Sequence, residues 1–213
     1  MLRTDFAALV ELVAGVTLTH QLTDGFGAFT LESARRLNAL QAPPLNRELA
    51  LELAEGPSAT LRTIPGQVLL VNFIYTRCPT LCLALGTTYK QLGDALSREI
   101  ASGAVQLVSV SFDPAHDTPQ ALHDYRGRFA PGLRQGWTIG RPRNDHEKRA
   151  WLDAFGVVVI PDRYGGFAHN AAVHIVDDQR RLVAITDPDD VEATVRMTRR
   201  TIAAKGLEHV AQN

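Results

Sequence analysis

The pattern of apolar and polar positions predicts buried strands that alternate with helices. Val68 to Tyr75 is a nearly continuous apolar run, which is typical of a central strand buried on both faces. Val105 to Phe112 is interpreted as a second buried strand. Ala171 to Val176 and Leu182 to Thr186 flank the polar turn Asp177 to Arg180, which indicates a β-hairpin.

Shorter segments complete the alternation. A second hairpin is expected across Glu55-Gly56-Pro57, and the order of elements predicts an α/β fold with a mixed sheet and helices on both faces. The remaining predicted strands are Leu49–Leu53, Ala59–Thr63 and Trp137–Gly140. The predicted helices are Leu83–Ile100, Pro119–Phe129, Asp145–Phe155 and Val191–Ala204, with Gly206 as the C-cap of the last.

Residues 1 to 44 are predicted to form a mainly helical extension, and residues 45 to 213 a single α/β domain. A helix is expected from Asp5 to Val16, then a turn at Asp24 to Gly27 and a second helix with Thr30 as its N-cap. The apolar stretch of the first helix is too short and too charged to span a bilayer, and it lacks the cleavage site of a signal peptide. We therefore expect an amphipathic or buried helix here, and no membrane anchor in this chain.

The composition is that of an ordinary globular protein. Of 213 residues, 45% are hydrophobic and 21% are charged, and the formal net charge is −1. Because basic residues are not in excess, nothing argues for a nucleic acid or an anionic membrane as a partner. We expect no nucleic-acid partner.

Cys78 and Cys82 are the only cysteines in the chain, and they follow the first predicted buried strand. If a helix begins at Pro79, residues four apart share one face of it, with Cβ atoms about 5–6 Å apart. That separation suits two thiolates on one soft metal ion, or a disulfide. A helix N-terminus also favours the thiolate form. Two small buried apolar side chains are the alternative interpretation.

A third ligand or a proton-handling partner should come from the seven histidines. His169 lies in a Gly-Gly loop, Tyr164 to Asn170, which would let it reach the same sheet edge. A loop histidine without a site explains that position equally well. His174 lies within a predicted strand and fits a core position. His20, His123, His146 and His209 are expected to be wholly or partly exposed at the surface.

The segment from Asp113 to Pro119 follows the second predicted buried strand and contains His116. Asp117 or Thr118 fits the N-cap of the next helix, with Pro119 at its first position. The motif therefore has a sufficient structural explanation, although it also lies at the functional edge of the sheet.

Three motifs in this order resemble the Sco (SenC-type) proteins. They are Tyr75 to Cys82, Asp113 to Pro119, and His169 eight residues before Asp177. A Cys-x-x-x-Cys spacing alone is weak, whereas the three motifs together are specific. The resemblance covers the chain from about Leu45 to Ala204.

The resemblance implies a thioredoxin-like fold and a copper chaperone, not an enzyme with turnover. Its copper ligands would be Cys78, Cys82 and His169. The implied partner is the copper-bearing subunit of cytochrome c oxidase or another copper protein, and the implied location is periplasmic, or membrane-associated and facing the periplasm.

Two thiolates and one imidazole independently suit Cu(I) and also hold Cu(II), with one side of the metal open. Structural zinc normally needs four ligands, which this chain offers only by recruiting His174 or His116.

The chain departs from the common family pattern around these ligands. Thr80 stands where the family commonly has Asp, Leu83 where it has Pro, and Ala168 where an Asp often precedes the histidine. His174 replaces an aromatic residue of the following strand. The three ligands are retained, but the surroundings of the metal are less acidic.

A thiol–disulfide oxidoreductase is the alternative function. Cys78 would attack a partner disulfide as the thiolate, and Cys82 would resolve the mixed disulfide. Ala171 stands where thioredoxin-type reductases place a cis-proline, which disfavours a bare reductase. A peroxiredoxin-like peroxidase fits less well still, because the second cysteine is only one turn away.

Overall fold

The computed structural model describes residues 2–23, 30–46, 48–78, 81–130 and 136–211. The chain divides into two compact units, Met1–Ala42 and Pro43–Asn213. The first unit holds two helices, α1 (Leu2–Leu22) and α2 (Leu31–Gln41). The Thr30 side chain caps α2 as predicted, accepting a hydrogen bond from the Ser33 N–H at 3.0 Å.

The helix α1 is longer than predicted, and the expected turn at Asp24 to Gly27 lies outside the described residues. Within the described ranges, no helix combines the length and the hydropathy that crossing a membrane requires. The assignment of residues 45 to 213 as one domain stays a prediction.

The second unit is built on a seven-stranded mixed sheet with a separate two-stranded ribbon. The sheet order is β2-β1-β5-β4-β3-β8-β9, and β6 pairs with β7 alone. The strands β3, β4 and β5 run parallel, and the other pairs are antiparallel. The strands are β1 (Ala50–Leu53), β2 (Ala59–Thr60), β3 (Val68–Ile74), β4 (Val105–Ser111), β5 (Trp137–Arg141), β6 (Val159–Pro161), β7 (Phe167–His169), β8 (Val173–Val176) and β9 (Leu182–Thr186).

Helices cover both faces of the sheet, as the order of elements predicted. On one face, Phe73 of β3 packs against Phe155 with ring centroids 5.3 Å apart. On the other face, Tyr89 contacts Trp137 of β5 at 5.3 Å. The helices of this unit are α3 (Leu81–Ala95), α4 (Ser97–Ala101), α5 (Pro119–Phe129), α6 (Asp145–Ala154) and α7 (Val191–Ala211).

The two central strands are buried along their whole length. Every residue of β3 and of β4 is buried, including Asn72 and Ser109. The Ser109 hydroxyl donates to the Asn72 amide oxygen at 2.6 Å, while the buried Asn72 amide nitrogen has no hydrogen-bond partner among the described residues. The carboxyl end of β3 therefore presents its following residues from a rigid base.

The structure corrects three details of the predicted elements. The helix expected from Leu83 to Ile100 is interrupted at Leu96, where α3 gives way to α4. Gly206 is not a C-cap, because α7 continues to Ala211. A glycine inside a helix costs only about 1 kcal/mol, so the helix-favouring residues around it prevail. The third correction is β7, which lies within the segment Tyr164 to Asn170 that was predicted to be a loop, and which pairs with β6, a strand that was not predicted.

Candidate metal centre

Both cysteines lie at the carboxyl end of β3. Cys78 follows the strand and Cys82 lies in the first described turn of α3, and both are buried. No disulfide joins them, and the Cys82 N–H donates to Cys78 Sγ at 3.3 Å. The Tyr75 N–H donates to Cys82 Sγ at 3.5 Å. The predicted helix start at Pro79 lies outside the described residues, but the expected proximity of the two residues is present.

Burial decides the protonation state of Cys82. It raises the pKa of the Cys82 thiol far above its usual range, outweighing the hydrogen bond from the Tyr75 N–H, which lowers it. The expectation that a helix N-terminus would favour the thiolate is therefore wrong for Cys82. The residue is a neutral thiol at physiological pH, and a metal ion would have to displace its proton.

Asp117 holds the segment that precedes the cysteines in place through hydrogen bonds. Its buried carboxylate accepts hydrogen bonds from the Thr76 N–H at 3.0 Å, the Thr76 hydroxyl at 2.6 Å and the Ser111 hydroxyl at 2.6 Å. Burial is the largest influence on Asp117 and raises its pKa, although these donors lower it. Thr118, not Asp117, caps α5, accepting from the Ala121 N–H at 3.2 Å.

Sequence reasoning did not identify these hydrogen bonds, which join the segment after β4 to the segment after β3. The available signal was an acidic residue just beyond β4, at the edge where β3 also ends. Asp113 joins the same two segments a second time, because its carboxylate accepts a hydrogen bond from the Arg77 guanidinium at 2.7 Å. The same carboxylate lies 2.9 Å from His116 Nδ1, so the exposed His116 side chain belongs to the hydrogen-bonded cluster around the buried Asp113.

His169 lies on β7, in a strand and not in the predicted flexible loop. The ribbon forms because Gly165 adopts φ +80°, which glycine tolerates, and because Asp162 ties the turn. The Asp162 carboxylate accepts from the Tyr164 N–H at 2.7 Å and the Gly166 N–H at 2.8 Å. The β-branched run from Val157 to Ile160 was the signal for the missing strand.

The two nitrogens of the His169 imidazole differ in their surroundings. Its ring packs against Phe112 with centroids 4.8 Å apart, and Nδ1 lies 3.4 Å from the Asn170 carbonyl. Nε2 is buried and finds no hydrogen-bond partner among the described residues. Burial lowers the pKa of His169, so the ring is neutral at physiological pH. With a proton on Nδ1, the Nε2 lone pair is the one a metal ion would use.

Tyr75 connects the cysteine segment to the histidine ribbon, a role that sequence reasoning did not assign. Its ring packs on Phe112 and Phe167, with centroid distances of 5.4 and 5.2 Å. Its hydroxyl accepts from the Phe167 N–H at 3.4 Å and forms a hydrogen bond with the Cys78 side chain. Burial, reinforced by that bond to Cys78, raises the pKa of Tyr75.

His174 is a core histidine, as predicted. His174 of β8 is buried, with Nδ1 3.2 Å from the Val71 carbonyl and its ring packed against both Phe73 and Phe155. His123 is part-exposed and lies 2.9 Å from the Glu55 carboxylate.

The described residues fit a soft metal ion chemically, although the ligands are not assembled. Across the described ranges, no three His, Cys, Asp or Glu side chains are arranged so that they could hold a metal ion. Cys78 and Cys82 nevertheless adjoin each other, and His169 offers a buried, unpartnered nitrogen from the adjacent ribbon. Two sulfurs and one imidazole are the donor set that Cu(I) prefers.

Comparison with known proteins connects this site to a family. Residues 38–204 match the family model described as SCO1/SenC. Among solved structures, a SCO1/SenC family lipoprotein from Bacillus anthracis superposes with a TM-score of 0.65 and is 21% identical, covering 74% of this chain and 96% of its own. These values show a shared thioredoxin-like fold.

Two further solved structures are similar to this chain. Bradyrhizobium japonicum ScoI with copper bound is 21% identical with a TM-score of 0.61, covering 75% of this chain and 98% of its own. BsSco, a member of the Sco family of cytochrome c oxidase assembly proteins in which a disulfide switch was identified, is 20% identical with a TM-score of 0.62, covering 76% of this chain and 96% of its own.

Proposed function

The chain belongs to the SCO1/SenC family, and we propose that it binds one copper ion through Cys78, Cys82 and His169 and delivers it during cytochrome c oxidase assembly. The observation that carries the proposal is the buried Nε2 of His169, which finds no hydrogen-bond partner among the described residues and lies on a ribbon hydrogen-bonded to Tyr75, three residues before Cys78. A buried polar atom without a partner is unfavourable, and a ligand is one reason to retain it.

The donor chemistry favours Cu(I) as the cargo. Two thiolates and a neutral imidazole are soft ligands, and three protein ligands leave one side open for transfer. Because His169 is neutral, its Nε2 can bind copper without first losing a proton. Cys82, by contrast, must lose its proton, so copper uptake is coupled to proton release at the cysteine end of the site.

The residues around the ligands would hold and orient them. Asp117 fixes Thr76 ahead of Cys78, and the Tyr125 hydroxyl donates to the Cys82 carbonyl oxygen. The Asn170 carbonyl, next to His169 Nδ1, orients the ring with Nε2 available. Such outer contacts typically change metal affinity by about 10- to 100-fold.

The partner we propose is the copper-bearing subunit of cytochrome c oxidase or another copper protein. This proposal is supported by family membership and by the structural similarity to BsSco, a member of the Sco family of cytochrome c oxidase assembly proteins. We also propose a membrane-associated, outward-facing location, supported by the related lipoprotein from Bacillus anthracis.

Thiol–disulfide exchange is a companion role of the same pair. The Cys82 N–H donates to Cys78 Sγ at 3.3 Å, so the two cysteines adjoin each other, and a disulfide switch was identified in BsSco. The buried, protonated Cys82 makes this pair a less ready electron donor than an exposed thiolate pair. Reduction therefore supports copper uptake and is secondary to it.

A binding measurement on reduced protein tests the proposal. The wild type should bind one Cu(I) in competition with a chromophoric chelator. His169→Ala should weaken that binding by more than about 100-fold, the upper limit for outer contacts, while the circular dichroism spectrum stays unchanged. His146→Ala, at an exposed position on α6, is the matched control and should bind like the wild type. Equal affinities in all three proteins would remove His169 from the site.

A further inference from the structure

Tyr75 touches all three segments that carry the candidate ligands. Its backbone N–H donates to Cys82 Sγ at 3.5 Å, and its carbonyl accepts from the Cys78 N–H at 3.3 Å. Its hydroxyl forms a hydrogen bond with the Cys78 side chain and accepts from the Phe167 N–H of β7 at 3.4 Å. This one residue spans from the cysteine pair to the strand that holds His169.

The Phe167 N–H depends on this hydroxyl because of the ribbon's register. Phe167 lies opposite Pro161, and the next pair is joined by the Asp162 N–H donating to the Gly166 carbonyl at 2.9 Å. Bonded and non-bonded pairs alternate in an antiparallel ladder, so the Phe167 N–H points out of the ribbon. It points toward Tyr75, the residue after β3, whose hydroxyl accepts its hydrogen bond.

Packing leaves the hydroxyl little freedom to lie elsewhere. Tyr75 is 4% exposed, and its ring packs against both Phe112 and Phe167, which also contact each other. A Cβ on Gly166 would come within 3.2 Å of the hydroxyl oxygen, so the absence of a side chain there permits the approach. Because the oxygen accepts from Phe167, its proton is left for donation to the Cys78 sulfur.

We propose that Tyr75 is a positioning residue that holds the His169 ribbon against the cysteine pair before metal arrives, an inference that rests on the proposed copper function. The hydroxyl bridges Cys78 and β7, so the ribbon is ordered where its histidine is needed. Removing the hydroxyl leaves the ring packing in place and removes only the hydrogen bonds to Cys78 and Phe167. The ribbon then samples more positions, and copper binding must order it again.

The test compares Tyr75→Phe with Tyr164→Phe, an exposed tyrosine at the tip of the same ribbon. In metal-free reduced protein, hydrogen exchange of the Phe167 amide should be about tenfold faster in Tyr75→Phe, the effect of losing one hydrogen bond. The Val158 amide, which donates to the Asn170 side chain at 2.6 Å, should change less than twofold. Tyr164→Phe should change neither amide.

Cu(I) affinity gives the second measurement, through a double-mutant cycle. Tyr75→Phe should weaken Cu(I) binding about tenfold in the wild type, as outer contacts do. In a His169→Ala background the same substitution should weaken binding less than in the wild type, because the ribbon no longer carries a ligand and only the hydrogen bond to Cys78 is lost. A merely structural role would lower affinity equally in both backgrounds and would speed exchange at both amides.

The outcomes separate this proposal from the proposed function. Unchanged Phe167 exchange in Tyr75→Phe, or an equal loss of affinity in both backgrounds, overturns the positioning role. A wild type that fails to bind Cu(I) overturns the copper function instead, and the exchange rates still decide whether Tyr75 holds the ribbon.

Discussion

The two sides of the candidate metal centre are held in different ways. The cysteine end follows β3, whose residues are all buried and which pairs with β4 on one side and β8 on the other. The histidine end is a ribbon of two three-residue strands, with Val158 and Ile160 52% and 60% exposed. An element with few buried contacts opens at lower free energy than a central strand.

This difference suits a protein that accepts and releases a metal ion. The cysteine pair is fixed by the core, so its geometry persists without a ligand. The third ligand is carried by a smaller element, so it can approach or leave while the sheet stays folded. The fact that no three side chains in the described part of the chain are arranged to hold a metal is consistent with that division.

The largest expected effect tests the anchoring of the cysteine end. Asp117→Ala leaves the Thr76 and Ser111 donors without their buried acceptor, at about 1 kcal/mol or more for each bond. We expect a loss of about 3 kcal/mol in the free energy of unfolding by urea. Asp162→Ala, the same change at the exposed ribbon turn, should cost about 1 kcal/mol or less. Equal losses would contradict the contrast between the two ends.

The pH dependence of Cu(I) binding tests the two ends again, with a smaller effect. Burial keeps Cys82 protonated, so copper must displace a proton there, whereas His169 is already neutral above pH 6.5. Affinity should rise about tenfold per pH unit for each proton released between pH 6.5 and 8.5. Competition against a chelator of known protonation measures it. A flat profile would mean that the thiols are already ionised.

The smallest expected effect concerns the stability contributed by the ribbon. The pKa of His169 is lowered in the folded state, so below pH 6.5 the unfolded chain binds more protons at this residue. The contribution of His169 to stability is therefore present above pH 6.5 and is lost as pH falls through its folded pKa. In urea unfolding at pH 7.5 and 5.5, His169→Gln should lose less stability on acidification than the wild type or the exposed-site control His146→Gln. Identical losses in the three proteins would show that His169 is not buried.

Most of the sheet and part of the site could be predicted from local pattern. The buried run of β3, the β8–β9 hairpin and the helix α5 have the periodicity and turn residues of their type, and these predictions are confirmed. The ribbon could not be recognised as easily, because each strand has only three residues and Gly165-Gly166 also fits a loop. The ligand set of Cys78, Cys82 and His169 stays a prediction.

The sequence by itself determined the family, the mixed α/β architecture and the candidate ligands, because motifs and hydrophobic periodicity are local properties of the chain. Only the tertiary structure decided that Cys82 is a protonated thiol, that Asp117 ties Thr76, and that Tyr75 reaches β7. Asp117 lies 41 residues from Thr76, and Tyr75 lies 92 residues from Phe167. Burial and contacts at such separations depend on how the whole chain packs, so no local pattern contains them.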